Sequence, residues 1–309
     1  MYFLVKTECG DNEIFFGFRA SLLIFLCIIN IYFFIVSFKF KITSRNGLTL
    51  IRCQSVVSFI LIVIYFFDYF RENEKFSNEN KIYSIFYCYI WYFSIFYWIF
   101  STISVYIMAL ISFDRFICIV FPLYYKKLTV RFIFILLLIM SFCVSIVCVV
   151  STILYVNIAK NNNTDLYFCT SKITISGAII NTCFHGLIPI ISLAGFNAMS
   201  ARNLARNSKT QLLRLDDIKR LKRTNLCYRF SISSFIMTIL YLIGIIWCII
   251  LNILWMLQTI NISNNCIVSI YYFVFIVLTA VNPFVHFILF RKARNYCLYT
   301  IACGKCEIF

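Results

Sequence analysis

Ile107-Met-Ala-Leu-Ile-Ser-Phe-Asp-Arg-Phe-Ile-Cys-Ile-Val-Phe-Pro-Leu-Tyr-Tyr125 is the stretch on which the reading of this chain turns. A long apolar run enters it from Tyr83 and meets a carboxylate and a guanidinium side by side, Asp114 and Arg115. An ionised arginine costs about 2.5–3.5 kcal/mol at the centre of a membrane helix, and much less near an end, where it reaches the interface or a partner. The pair therefore marks where a membrane helix leaves hydrocarbon. Pro122 and the charges of Lys126 and Lys127 follow, as expected of chain returning to water.

Composition extends that reading to the whole chain. Its 309 residues are 62% hydrophobic, 19% aromatic and 13% charged, with a mean hydropathy of +0.89. Soluble domains carry about 25% charge. Long apolar runs between short polar ones predict an all-α membrane bundle; a barrel would show short alternating strands. Crossings are expected at 15–38, 47–70, 83–114, 130–156, 172–200, 226–257 and 266–290. With only eight Gly and three Pro there is little loop, and residues 1–309 form one membrane domain.

The formal charge of +16 does not indicate a nucleic-acid binder, because its placement follows the membrane. With the amino terminus outside, three quarters of the basic residues fall on the inner side and two thirds of the acidic ones on the outer. That asymmetry predicts an extracellular segment 1–14, a basic third inner loop at 201–225 and a cytoplasmic tail at 291–309. The two glycosylation sequons, at Asn162 and Asn261, both fall in outer loops. Residues 1–14 lack the basic flank and cleavage site of a signal peptide, so the first helix is expected to act as its own insertion signal.

Most of the fifteen cysteines lie within helices, where a thiol behaves as a small apolar group. Cys9, Cys88, Cys169 and Cys266 face outward, where oxidation is allowed. Metal-ligand spacing is missing: Cys303 and Cys306 stand without partner ligands. Asn30 is an amide deep in the first helix and needs an interhelical partner. Arg52, one turn into the second helix, is expected to snorkel inward, and Asp68 to face the outer loop. In the fifth helix His185 and Pro189 lie one turn apart, with a kink expected at the proline. The sixth carries Tyr241, Gly244 and Trp247. The seventh ends Asn282-Pro-Phe-Val-His286, and Phe290–Cys297 is short, basic and amphipathic, as for an eighth helix on the inner membrane face. Cys297, Cys303 and Cys306 sit where palmitoylation occurs.

Several of these segments resemble the rhodopsin-like G-protein-coupled receptors. Asp114-Arg115-Phe116 followed by Pro122 is similar to the family's inner end of helix three, and Asn282-Pro-x-x-His286 to its Asn-Pro-x-x-Tyr. All three prolines, Pro122, Pro189 and Pro283, fall where the family places its own, and Asn30 fits as well. Within the family, the aromatic-rich helices, Gln54-Ser55 and Asp-Arg-Phe look most like nematode serpentine chemoreceptors of the Srsx type. The resemblance implies a Cys88–Cys169 bridge, with Cys9–Cys266 as a second candidate. There are departures. The family's acidic residue in helix two falls near Ser58, no proline follows Trp247, and helix four lacks the usual Trp. Tyr97 stands where amine receptors hold Asp, against a biogenic amine.

What the resemblance implies is a receptor that binds an extracellular small molecule or peptide and activates a heterotrimeric G protein, needing no cofactor beyond surrounding membrane lipid. Asp114, Arg115, Phe116, Pro122 and Arg229 would form the coupling end. Asn30, Ser58, Ser104, Trp247, Asn282, Pro283 and His286 would form a switch network. Tyr97, Trp98, Ser101, Asn181, His185, Trp247 and Tyr272 would line the ligand site, whose aromatic, weakly charged walls suit a small neutral ligand or an aromatic peptide end. The rival class is a transporter or channel, but the chain shows no internal repeat and no polar pore lining. No nucleophile with a base supports an enzyme.

Overall fold

The computed structural model describes residues 13–39, 45–70, 77–78, 80–92, 95–160, 167–171, 179–180, 182–211, 235–244 and 265–288, with isolated positions 232, 246 and 250. Helix α1 is Glu13–Lys39, α2 Arg45–Phe70, α3 Lys81–Tyr87, α4 Ile95–Val120, α5 Pro122–Lys127, α6 Val130–Tyr155 and α7 Ile188–Gln211. Then come α8, Phe235–Gly244, and α9, Asn265–Ile288. Among the described residues five helical stretches are long and apolar enough to cross a membrane, Lys81–Val120 being the longest; α8 and α9 contribute shorter apolar segments where the sixth and seventh crossings are expected. The predicted eighth helix, the tail cysteines, Cys9, Asn162, Asn261 and most of the third inner loop lie outside the described residues, as do the side chains of Asp68, Cys169 and Cys266.

The third crossing is α3, a π-wound turn at Cys88–Tyr92, and α4. Asn80 starts it, its side-chain oxygen accepting from the amides of Ile82 at 3.0 Å and Tyr83 at 3.3 Å, two donors that a helix start otherwise leaves open. At the other end the helix overruns the expected stop at 114 and continues to Val120. Nothing in Phe116–Val120 breaks a helix. Pro122 does, by pushing Phe121 out of the helical region to φ −125°, ψ 62°, and then opens α5 from its own first turn.

α4 is the hub, packing on α2, α6, α7 and α9. Small buried Ser101, Thr102, Ser104 and Ser112 let neighbouring helices come close, which is how membrane helices associate without a hydrophobic drive. One buried cluster joins Leu23, Tyr65, Tyr97, Met108, Tyr241 and Ile276 across α1, α2, α4, α8 and α9. A second joins Leu50, Ile107, Ile111 and Ile133 across α2, α4 and α6. Outward-facing side chains of α1 and α6, such as Phe25, Ile28, Leu138 and Phe142, are exposed and read as the lipid face. α6 has neither Gly nor Pro and runs unbroken for 26 residues.

The helical bundle carries one addition to the all-α expectation. Strands β1 (Ser77–Asn78), β2 (Val156–Lys160) and β3 (Tyr167–Ser171) form a small antiparallel sheet in the order β1-β3-β2, with Ile158 opposite Cys169. It lies over the start of helix three, where Cys88 is wholly buried and disulfide-bonded; β3 packs beside that π turn.

Candidate functional site

At the Pro122 end of helix three Asp114 and Arg115 are both buried and pair at 3.3 Å. The guanidinium lies over Gly47, near the start of α2: a Cβ there would overlap Arg115 Nη2 and come within 3.2 Å of the Asp114 carboxylate. Only a residue without a side chain leaves that seat open. Phe116 contacts Phe121 and Phe196 of α7, and Phe196 also meets Phe113, an aromatic seam tying helix three to helix five. Asn197 continues it toward helix six, donating to Thr238 Oγ1 at 2.6 Å. Arg202 is exposed, while Arg229 lies outside the described residues.

Arg52 reaches to the last turn of α1. Its Nη2 and Nε donate to the carbonyl and hydroxyl of Ser37 at 2.7 and 3.1 Å, and its guanidinium stacks 4.0 Å from the Phe38 ring. The last turn of α1 carries the negative end of its dipole and unsatisfied carbonyls, which suit a guanidinium.

The middle of the bundle is organised by Pro283. A proline inside α9 has no N–H for the Thr279 carbonyl one turn back, and its ring crowds that turn. Ser58 donates to the freed Thr279 carbonyl at 3.2 Å, and Asn30 Nδ2 donates to Ala280 at 3.2 Å besides its own Leu26 at 2.8 Å. The expected link among Asn30, Ser104 and Asn282 does not form. Ser104 instead accepts from Gln54 at 2.6 Å, and Gln54 also reaches Ser58 at 3.4 Å. Asn282 is fully buried beside Pro283 and bonds to neither. His286 and Trp247 lie outside the described side chains. Gln54 and Thr279 belong to this network although neither was expected in it. A lone amide in an apolar run, four residues before Ser58, was the available signal.

In the opposite half of the bundle Tyr97 is buried and contacts both Tyr65 and Trp98. Trp98 meets the His185 ring edge-on at 5.4 Å. His185 lies in a π-wound stretch, Thr182–Leu187, just before Pro189, which frees the carbonyl one turn earlier and favours such winding. It pairs with Thr102 and faces Cys148 at 3.8 Å. Ser101 turns back to donate to the Trp98 carbonyl at 3.0 Å. Asn181 and the Tyr272 side chain lie outside the described residues. Arg19, which the charge pattern leaves in the outer fringe, is buried (2% exposed) with its guanidinium 5.3 Å from the Phe273 ring of α9. Among the described residues no group of three metal-ligating side chains gathers.

These features meet known proteins on two counts. Residues 69–286 match the family model described as 7 transmembrane receptor (rhodopsin family). The fold resembles a crystal structure of squid rhodopsin with a TM-score of 0.67, covering 94% of this chain and 86% of that one at 15% identity, a likeness of fold alone. No curated protein matches the sequence. Because the family model spans well over half of its length, the chain belongs to the rhodopsin family of seven-transmembrane receptors: it is a multi-pass membrane receptor of the G-protein-coupled kind and not an enzyme.

Proposed function

We propose that the chain is a chemosensory receptor for a small, neutral or weakly polar ligand, or an aromatic peptide end, of the kind the Srsx resemblance implies. The contact between Trp98 and His185 carries this reading. It sets an aromatic face and a polar ring together across helices three and five, with Tyr97 beside them. Aromatic walls with few charges favour apolar contact plus one or two hydrogen bonds. Asn181, Trp247 and Tyr272 complete the proposed lining.

The amino terminus faces outward and the carboxyl terminus inward, as the basic residues favour. Ligand binding in the outer half shifts the bundle between two packings. At the inner end Arg115, Phe116, Pro122 and Arg229 then meet a heterotrimeric G protein. Cys88 is bridged to Cys169, and Asn162 and Asn261 are the glycan positions.

A ligand screen with a promiscuous G protein in membranes carrying the full chain tests the reading. Trp98→Ala should raise the half-maximal concentration of any hit at least tenfold while leaving its maximal response. Arg115→Ala should abolish exchange at unchanged surface expression. Solute flux with no exchange on any G protein would sink it.

A further inference from the structure

Between α4, α6 and the π-wound start of helix five, the imidazole of His185, whose ring also meets Trp98 in the proposed ligand site, faces a thiol that the receptor reading does not use. Thr102 has one hydroxyl proton, and it goes to the Trp98 carbonyl at 2.8 Å. The Thr102 oxygen is left to accept, and its partner is His185 Nδ1. With Nδ1 engaged there, the other ring nitrogen, Nε2, faces Cys148 Sγ at 3.8 Å. Cys148 is buried, and its turn of α6 is fixed by Ser151 and Thr152, which donate to its carbonyl at 2.9 and 2.7 Å.

We propose that Cys148 and His185 form a two-coordinate site for a soft monovalent cation, copper(I). Ligand chemistry favours it, since thiolate sulfur selects copper(I) and imidazole accepts copper. Charge favours it more strongly. Copper(I) replaces the thiol proton: the S–H bond breaks, an S–Cu bond forms, the proton leaves with the delivering carrier, and no oxidation state changes. Thiolate and Cu⁺ then sum to zero, so no net charge enters hydrocarbon. A divalent ion on the same two ligands would leave one positive charge uncompensated, at a cost of tens of kcal/mol in the Born limit.

Coordination number points the same way. With no third metal-ligating side chain among the described residues, a tetrahedral ion lacks ligands. With zinc's bonds as a guide, about 2.0 Å to nitrogen and about 2.3 Å to sulfur, the two ligand atoms would stand about 4.3 Å apart, roughly half an ångström beyond their present 3.8 Å. Thr102 plays the part of the outer partner that fixes a ligating histidine's tautomer.

The test uses the full-length receptor in nanodiscs, loaded with copper(I)–glutathione and then washed with excess copper(I) chelator. Wild type should retain one copper more than Cys148→Ser or His185→Ala, while Cys143→Ala, which removes an exposed thiol on the same helix, should retain as much as wild type. X-ray absorption of that copper should show one sulfur and one nitrogen. Thr102→Val, which keeps both ligands, should weaken retention by roughly 10–100-fold. Equal retention by wild type and Cys148→Ser, or a sulfur-only coordination shell, overturns the proposal. Neither result bears on whether the chain couples to a G protein.

Discussion

Arg115 rests its guanidinium against Gly47, at a spot where one methyl group would overlap it. The side chain is buried and already paired with Asp114 at 3.3 Å, so it has little room to retreat. Adding a methyl to a packed site costs typically about 1–3 kcal/mol. Here that cost falls on the packing in which Arg115 occupies this seat. Gly47→Ala should therefore raise ligand-independent nucleotide exchange, by about 5–100-fold in the resting-to-active ratio if the whole strain biases that equilibrium. Basal exchange equal to wild type at matched surface expression would show that the seat is not part of the resting state.

Arg52 offers a second test, since its role depends on shape as well as charge. It makes two hydrogen bonds to Ser37 and stacks on Phe38. A lysine brings the charge but neither the fork nor the flat face. Arg52→Lys should then lose most of what Arg52→Ala loses, each lowering the melting temperature of the detergent-solubilised receptor, on the order of 1–2 kcal/mol. Full rescue by lysine would reduce the contact to simple charge.

Much of the architecture is written in the apolar runs and the three prolines. Pro122 ends helix three, Pro189 follows the π-wound stretch and Pro283 frees the carbonyl that Ser58 takes. Partners across helices were harder to read. A lone Asn30 announces that it needs a bond, but not that the bond goes to the Ala280 carbonyl, 250 residues further along the chain. Nothing local to Gly47 says that Arg115 will lie over it. Arg19 shows the same limit, since the ring that covers it belongs to Phe273, far along the chain. The sheet on the outer side was hidden too, since Tyr167–Ser171 is short and abuts a polar loop.

The bond from Asn197 to Thr238, 2.6 Å and buried, joins helix five to helix six, so a shift of the bundle to a second packing that moves one against the other must break it. Buried hydrogen bonds between membrane helices average about 0.6 kcal/mol and reach about 1.7 kcal/mol. Asn197→Val and Thr238→Val should each raise basal exchange about threefold. The double variant should raise it no further, because either change removes the same bond. Strictly multiplicative effects would mean the two side chains act separately.

The last prediction concerns salt. The polar middle of the bundle is made of Asn30, Gln54, Ser58, Ser104, Thr279 and Asn282, all buried and all neutral. A sodium ion there would find oxygens but no carboxylate, leaving a whole positive charge without a counter-ion in a medium that penalises it heavily. Hydroxyls and amides serve instead as struts: Gln54 holds Ser104 at 2.6 Å, and Ser58 holds the Thr279 carbonyl at 3.2 Å. Replacing sodium chloride by choline chloride at constant ionic strength should therefore leave agonist affinity unchanged. Gln54→Leu should lower thermal stability by about 1–3 kcal/mol, because Ser104 loses its donor in hydrocarbon. Installing a carboxylate, Ser58→Asp, should confer sodium sensitivity, with agonist affinity falling as sodium rises. Sodium dependence already present in the wild type would mean that a negative charge outside this group of six reaches the middle of the bundle.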